Sequence, residues 1–550
     1  MLTKKTKKLA FFNPPHADWV LPNVATWMFM QSHYNSVGKY KDQVEWLPAP
    51  YRYSEYTSLE EIYEEIKSAD AILFGSYVWN YDFCDGMAEI IKTRHPEKIT
   101  IMGGPHIGQN DPDLQYRFKF YDYVCKPTKP GEPFIEEFLN TWIETGSPPD
   151  PENIPWETRS VFGTKHNFPQ VSIYEEHFDY LNKISKYAEE KNIEKYIILE
   201  TTRGCPYQCT YCEWGGGIGE KVLKKDMDII KRDILAIKKA GYDKISLNDA
   251  NFGMYEERDL EFYEFAYENG LQIIDISTVK VKNLERRKRL IDSCFDIVSS
   301  KFHFGKDNTQ PDHLPTVSIQ SASEEAMKVA KRVDLDYEDK LKLSEHIYEL
   351  CEKHNFKPPA VELIMGMPGV RLKDFYNEMD IIWNFRSWNS YRHVYMALPD
   401  SECSSPDYIQ KYNIELVKVY ANLLDEDSAD NTNSLYITKR NYFNTIASCY
   451  SFTREEMCEM FFMNYAGNML LKELYEIFED MMTPAEFCKK CWSIILELED
   501  FQPIWFEIKD LYDPKTPPRT TKRLLDKHIP ITVKKLIDDN RKLIINQLYF

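Results

Sequence analysis

The amino-acid sequence predicts an α/β protein in three parts: an open parallel sheet with helices on both faces, a partial (β/α)6 barrel, and an all-helical C-terminal domain. Three observations carry this. Short apolar runs alternate with amphipathic stretches in two separate series, one over residues 1–140 and one over residues 196–400. Between them lies GSPPDPENIP, whose prolines and lack of periodicity mark a linker. Beyond residue 404 the strand pattern stops, and Leu, Glu, Phe and Tyr recur at helical spacing. The boundaries fall at 1–145, 146–195 for the linker, 196–400 and 401–550.

In chain order, the first series offers strands at Leu9–Asn13, Ala69–Ser76, Ile99–Gly103 and Tyr121–Cys125, with helical patterns at Ser58–Lys67 and Asp85–Arg94. Strands alternating with helices imply a mostly parallel, Rossmann-like sheet. The second series opens with YIILET, followed by a cysteine loop and a helix over Lys224–Ala240. KISLND, LQIIDI, TVSIQ, AVELIMG and HVYMAL follow, separated by helical stretches such as Glu257–Asn269 and Asn283–Cys294. Six such units in succession predict the partial barrel.

Composition narrows the function. The 550 residues are 43% hydrophobic and 28% charged, as in ordinary globular proteins. No apolar run reaches the length of about 18 residues that a membrane span needs. The basic start MLTKKTKKLAFFNPP meets two prolines before its apolar stretch is long enough for a secretory signal, so a cytoplasmic protein is expected. Twelve unevenly spaced cysteines do not resemble a secreted disulfide framework. The net charge of −19 argues against broad contact with nucleic acid, and the basic runs Lys280–Arg289 and Arg519–Lys535 read as solvated helix faces.

The stretch TTRGCPYQCTYCEWGGG gathers Cys205, Cys209 and Cys212 after a strand, at the end of the barrel where active sites are built. Thiolates are the soft ligands of iron–sulfur clusters. Three of them on a four-iron cube leave one iron open to a substrate or cofactor. Structural zinc is the alternative, but it takes four N or S ligands. No His or Cys follows Cys212 closely, and the pair Cys488 and Cys491 is distant in the chain.

With its C-x3-C-x2-C pattern in RGCPYQCTYC, the chain resembles the radical S-adenosylmethionine (SAM) superfamily. The resemblance implies that Cys205, Cys209 and Cys212 hold a [4Fe–4S] cluster whose open iron is chelated by SAM, and that Tyr211 lies near the adenine. SLNDANFG resembles a second-strand segment that contacts SAM, making Asn248 and Asp249 candidates; Asn251 and Gly253 read equally well as cap or turn residues. TVSIQSASEEAMKVAKR resembles a fourth-strand segment that reaches the SAM ribose or carboxylate. Ser318 and Gln320 share a face by period two, and Ser321 opens the next turn. Relatives often carry Glu at the position of Gln320 and Gly at that of Ala322. VELIMGMPG resembles the adenine-binding fifth strand, with Gly366 and Gly369 permitting close backbone approach. The matching blocks cover residues 196–400.

The first domain resembles the cobalamin-binding domain of cobalamin-dependent radical SAM enzymes. That implies corrin contacts from Ser76, Trp79, Asn80 and Tyr81 after the central strand, from Gly103, Gly104, Pro105 and His106, and from Gly131 and Glu132. The D-x-H-x-x-G motif that supplies an axial histidine elsewhere is missing, and His16 has a different context, so cobalt without a lower His ligand is expected. A degenerate domain that binds no cobalamin is the alternative. G-x-G-x-x-G is also missing after the first strand, which disfavours a nicotinamide.

Other cysteines read differently. Cys488 and Cys491 lie in a helical stretch and could join Cys449 and Cys458 in an auxiliary cluster, although core packing explains them as well. Cys403, in ALPDSECSSPDY, is expected at the barrel mouth, where a catalytic thiol is conceivable. No catalytic residue is assigned.

The resemblance implies a cobalamin-dependent methyltransferase acting on an unactivated carbon, or on phosphorus. One SAM would methylate cob(I)alamin, and a second would yield a 5′-deoxyadenosyl radical that abstracts a substrate hydrogen. The expected partners are a small-molecule or peptide substrate and a flavodoxin- or ferredoxin-like electron donor. The rivals are a radical SAM enzyme catalysing cyclisation, rearrangement or thiolation, and a non-catalytic iron–sulfur sensor or scaffold.

Overall fold

The computed structural model describes residues 6–15, 21–77, 80–107, 113–125, 131–150, 171–212, 222–274, 276–277, 280, 282–301, 317–359, 361–386, 391–399, 401–420, 442–515 and 522–549. Trp79 and His16 lie outside these residues.

The first sheet is parallel, in the order β2-β1-β3-β4-β5, built from β1 (Lys7–Phe12), β2 (Val44–Trp46), β3 (Ala71–Gly75), β4 (Ile99–Gly103) and β5 (Tyr123–Val124). β3 is an unbroken apolar run, buried at every position, as a central strand covered on both faces must be. Alternate residues feed two cores. Leu9, Phe11, Leu73 and Ile101 pack with helices Ala25–Val37 and Gly131–Thr145, while Phe12, Ile72, Phe74 and Met102 pack with Leu59–Ile66 and Tyr81–Arg94. β2 is a short strand absent from the sequence expectation; its three residues are too few to set up a period.

The second region holds six parallel strands in two sheets. One has the order β10-β9-β6, from β6 (Tyr196–Leu199), β9 (Lys244–Leu247) and β10 (Gln272–Ile274). The other has the order β11-β12-β13, from β11 (Val317–Gln320), β12 (Val361–Met365) and β13 (Tyr391–Val394). The first five fall on the expected runs in order, while the sixth lies earlier than expected: β13 ends at Val394, and Met396 and Ala397 of HVYMAL join an antiparallel sheet instead. A small antiparallel pair, β7 (Thr202–Arg203) with β8 (Leu223–Lys224), brackets the cysteine loop.

Two expectations are corrected. The segment 146–195 is not simply a linker: it contains helices Ile173–Glu176 and Phe178–Lys191, and Ser172 and Tyr174 bond Asp233 beside β6's neighbouring helix. Residues from 401 onward are not all helical. β14 (Met396–Ala397), β15 (Glu415–Tyr420) and β16 (Tyr442–Ser448) form an antiparallel sheet in the order β14-β16-β15. ELVKVY and YFNTIAS are rich in β-branched and aromatic residues, which suit a pleated, half-buried surface, and this outweighed the helical character of the residues after 448. Helix Pro406–Lys411 precedes β15, and helices Arg454–Glu473, Pro484–Leu496, Gln502–Leu511 and Lys522–Tyr549 follow β16. No helix among the described residues is long and apolar enough to cross a membrane.

Candidate active site

The cysteine loop leaves β6 and is pinned before it reaches its first thiol. Asp249, just past β9, accepts from the Thr201 and Thr202 amides at 2.7 and 3.0 Å and from the Thr201 hydroxyl. Burial pushes this carboxyl up to about 6, against the pull of those donors. Asp249 therefore shapes the chain entering the loop, whereas Asn248 is exposed beside it. Further on, the Thr210 amide donates to the Ala330 carbonyl, and the Thr210 carbonyl accepts from the Cys403 amide at 2.9 Å.

Cys205 and Cys209 are buried and Cys212 is half-buried. Among the described residues, no three His, Cys, Asp or Glu side chains converge where a single metal ion could be held. A cubane cluster needs its thiolates around one cube and not on one atom, because each binds its own iron. The donor set, three cysteines in one loop, fits a cluster with one open iron. A buried, unpartnered acceptor, Asn251 Oδ1, stands beside it. Asn251 Nδ2 donates to Cys205 Sγ at 3.0 Å, a contact sequence reasoning missed; only its position two residues after Asp249 hinted at it.

Tyr211 carries one end of a second network. Its hydroxyl accepts from Arg332 Nη1 at 2.9 Å, and burial pushes its pKa up. Arg332 also donates to the Ser318 carbonyl at 2.5 Å and to Asp334 at 2.8 Å. Asp334 takes a second guanidinium, Arg287, at 2.7 Å. Burial favours its neutral form, but Arg332, Lys340 and Arg287 outweigh this and hold it at about 2. Tyr211 and the backbone of β11 are thus tied together through one arginine.

β11 departs from the sequence expectation. Its pairing with β12 shifts register between Ser318 and Gln320, and Gln320 adopts a left-handed φ of 65°. This bulge breaks the period-two alternation that put the two side chains on one face. The Ser318 hydroxyl is engaged by Glu362. Ser321 donates to Glu378 at 2.9 Å, and Lys340, whose pKa burial lowers to about 8, donates to the Ser321 carbonyl at 2.7 Å.

The two glycines after β12 are used by the protein's own atoms. A Cβ on Gly369 (φ +98°) would lie 2.7 Å from the Ala326 amide nitrogen, and one on Gly366 (φ +79°) 3.0 Å from Met457 Sδ. Their need for glycine is accounted for without a nucleotide.

At the C-terminal end of the first sheet, beside the switch between β1 and β3, Ser76 is fully buried and its hydroxyl has no partner among the described residues. Gly104 (φ +106°) lies so close that a Cβ would fall 2.3 Å from the Ser76 carbonyl oxygen. The orphaned hydroxyl fits a ligand at this crevice, whereas the need for glycine at 104 is met by the Ser76 backbone itself. Asn80 and Tyr81 are committed elsewhere: Asn80 donates to Asn13 and to the Pro14 and Gly75 carbonyls, and Tyr81 donates to the Arg117 carbonyl. His106 is buried against the Tyr81 ring and Arg117, while Pro105 is exposed and Gly103 half-buried. Gly131, opposite Met30, starts the helix carrying Glu132, which accepts from Arg203 at 3.0 Å. Arg203 reaches Glu200 as well, at 2.9 and 2.6 Å, so the first domain is bonded to the entry of the cysteine loop.

The remaining cysteines are packed. Cys403 is buried with its thiol 3.0 Å from the Ser401 hydroxyl. Cys488 and Cys491 are fully buried on one helix, with their pKa values raised by burial, and Cys458 Sγ faces the Ile508 carbonyl.

A doubly wound parallel sheet, bonded to a region of two three-stranded parallel sheets with three cysteines in the loop that follows its first strand, defines the class. Known proteins agree with it. No family model matches the chain. It is 24% identical over 396 residues to the cobalamin-dependent radical SAM methyltransferase TokK of Streptomyces tokunonensis, a match covering 69% of this chain and 55% of that protein. The chain thus spans about half the length of the curated relatives it matches. Among solved structures it resembles the radical SAM methyltransferase TsrM from Kitasatospora setae with cobalamin and a [4Fe–4S] cluster bound (TM-score 0.53, 14% identity, 92% and 99% of the two chains). It also resembles the cobalamin-dependent radical enzyme OxsB with aqua-cobalamin and SAM bound (TM-score 0.52, 13% identity, 99% and 81%). These structural likenesses show the fold. Cobalamin-dependent radical SAM enzymes are homologues and structural neighbours of this chain.

Proposed function

We propose that this protein is a cobalamin-dependent radical SAM methyltransferase that modifies an unactivated carbon, or phosphorus, of a small molecule or peptide. The observation that carries the reading is the three-cysteine loop, pinned at the C-terminal ends of parallel strands and bonded through Arg203 to the domain that offers Ser76. In this reading the sheets β10-β9-β6 and β11-β12-β13 are the two halves of a partial (β/α)6 barrel, residues 196–400. Cys205, Cys209 and Cys212 would hold a [4Fe–4S] cluster. Tyr211 and the bulged β11 segment around Ser318, Gln320 and Ser321, with the loop at Gly366 and Gly369, would flank SAM; Asn248 is the exposed side chain nearest the second strand's end. Ser76, with Gly103 and Gly104, would face cobalamin.

When bound, these groups supply a single electron, a radical derived from SAM and a methyl carrier. The chain's own residues do the rest. Arg332 orients the Tyr211 hydroxyl and fixes the β11 backbone through the Ser318 carbonyl. Asp249 and Arg203 hold the loop entry in place beside the first thiol. The C-terminal region closes over the barrel through β16, beside Gly366. A flavodoxin- or ferredoxin-like protein is the proposed electron source.

The test is anaerobic turnover with SAM carrying a deuterated methyl group and a chemical reductant. Formation of 5′-deoxyadenosine by the iron-loaded wild type, abolished in Cys209→Ala, is expected. An iron-loaded wild type that never cleaves SAM would remove the proposal.

A further inference from the structure

Asn251 makes a contact that a mere turn residue does not need. Its amide is buried, with Nδ2 donating to Cys205 Sγ at 3.0 Å and Oδ1 left without a partner. The turn that carries it is rigid. The Phe252 amide donates to the Ser277 carbonyl at 2.8 Å, and the Gly253 and Tyr255 amides both donate to Asp259 Oδ2, at 2.9 and 3.1 Å. Gly253 sits at φ +87° against Leu290, where a Cβ would be 2.2 Å from a methyl carbon. The amide is therefore aimed at sulfur by its backbone.

We propose that Asn251 is a positioning residue that raises the reduction potential of the cluster by donating Nδ2–H to Cys205 Sγ; this rests on the functional reading above. Taking up one electron adds negative charge that the thiolate sulfurs share. A donor on such a sulfur stabilises the reduced state more than the oxidised one, and hydrogen bonds to cluster sulfurs are among the factors that set potentials. Burial strengthens the effect because no water competes for the sulfur.

The test is a redox titration with dithionite, followed by electron paramagnetic resonance, on anaerobically reconstituted wild type, Asn251→Leu, Asn251→Asp and Asp259→Asn. Leu removes the donor at similar volume, and Asp keeps the shape while adding an anion. Asp259→Asn perturbs the same turn without touching sulfur. Iron content equal to wild type is expected in all three. At the wild-type midpoint, the reduced-to-oxidised ratio is expected to fall several-fold in Asn251→Leu and further in Asn251→Asp. A tenfold fall corresponds to about 59 mV for one electron. Asp259→Asn is expected to keep the wild-type value. Unchanged potentials in both Asn251 variants would overturn the inference, as would an equal shift in Asp259→Asn. Loss of iron from both Asn251 variants would overturn it too, making the amide a structural support. A wild type that takes up no [4Fe–4S] cluster would instead remove the functional reading itself, and the inference with it.

Discussion

Glu378 shows how much of this site depends on single buried charges. Its carboxylate accepts from the Ser321 hydroxyl and the Ala322 amide and faces Arg392 Nε at 3.6 Å, with Lys340 reaching the same Ser321 from the opposite side. Burial pushes its pKa up to about 7, against the pull of Arg392. A raised carboxyl binds its proton more tightly when folded than when unfolded. Its contribution to stability is therefore full below the unfolded pKa and is lost as pH rises towards about 7. The change is on the order of 3 kcal/mol at about 1.4 kcal/mol per unit. Glu378→Gln cannot titrate. Whatever constant offset arises from leaving Arg392 unpaired, the unfolding free energy of the wild type is expected to fall relative to Glu378→Gln between pH 4.5 and about 7. Denaturant melts across that range check this, and parallel curves would contradict it. None of this was visible in the sequence. No local pattern singles out Glu378, Lys340 and Arg392, because the residues they meet in this cluster are 14 to 57 positions away. The three thiols were legible as a group because they lie within eight positions, and a pattern that local needs no tertiary information.

At the scale of elements, the strands of both parallel units apart from β2 were readable because each is a short apolar run between turn signals. What the pattern could not reveal was the bulge in β11. A register shift leaves no mark on hydrophobic alternation until the neighbouring strand is known. The C-terminal sheet was missed for a related reason: β15 and β16 are separated by residues 421–441, so no tight hairpin turn announced their pairing. Gly366 and Gly369 were legible as positions needing glycine, but the neighbour that demands it proved to be protein. Ser323 caps helix Glu324–Val329 and donates to the Gly369 carbonyl at 2.9 Å, docking that helix on the loop after β12. Gly369→Ala adds a Cβ 2.7 Å from backbone at a left-handed φ. It is expected to cost at least the 1–3 kcal/mol of local strain, read as a lowered midpoint of unfolding. A variant as stable as wild type would show that the two loops are not in contact.

Across the whole molecule, one hydrophobic core runs from the inner face of the first sheet, through the six parallel strands, to the C-terminal helices. Polar contacts reinforce it at both ends of the first domain. Glu132 meets Arg203 at the cysteine loop, and Asp113 meets Lys418 and Tyr442 on the C-terminal sheet. That the thiol loop and the Ser76 crevice, on two parallel units tied together by Glu132 and Arg203, serve one proposed reaction is the central claim. It predicts two separable cofactor sites, one built on thiols and one on the crevice beside Ser76. The most direct measurement is the iron and corrin content of protein purified without oxygen from cells supplied with both, for the wild type and for Cys205→Ala/Cys209→Ala/Cys212→Ala. The account predicts about four irons and one corrin per wild-type chain, with iron lost and corrin retained in the triple variant. Iron retained without the three thiols, or no corrin in either protein, would contradict it.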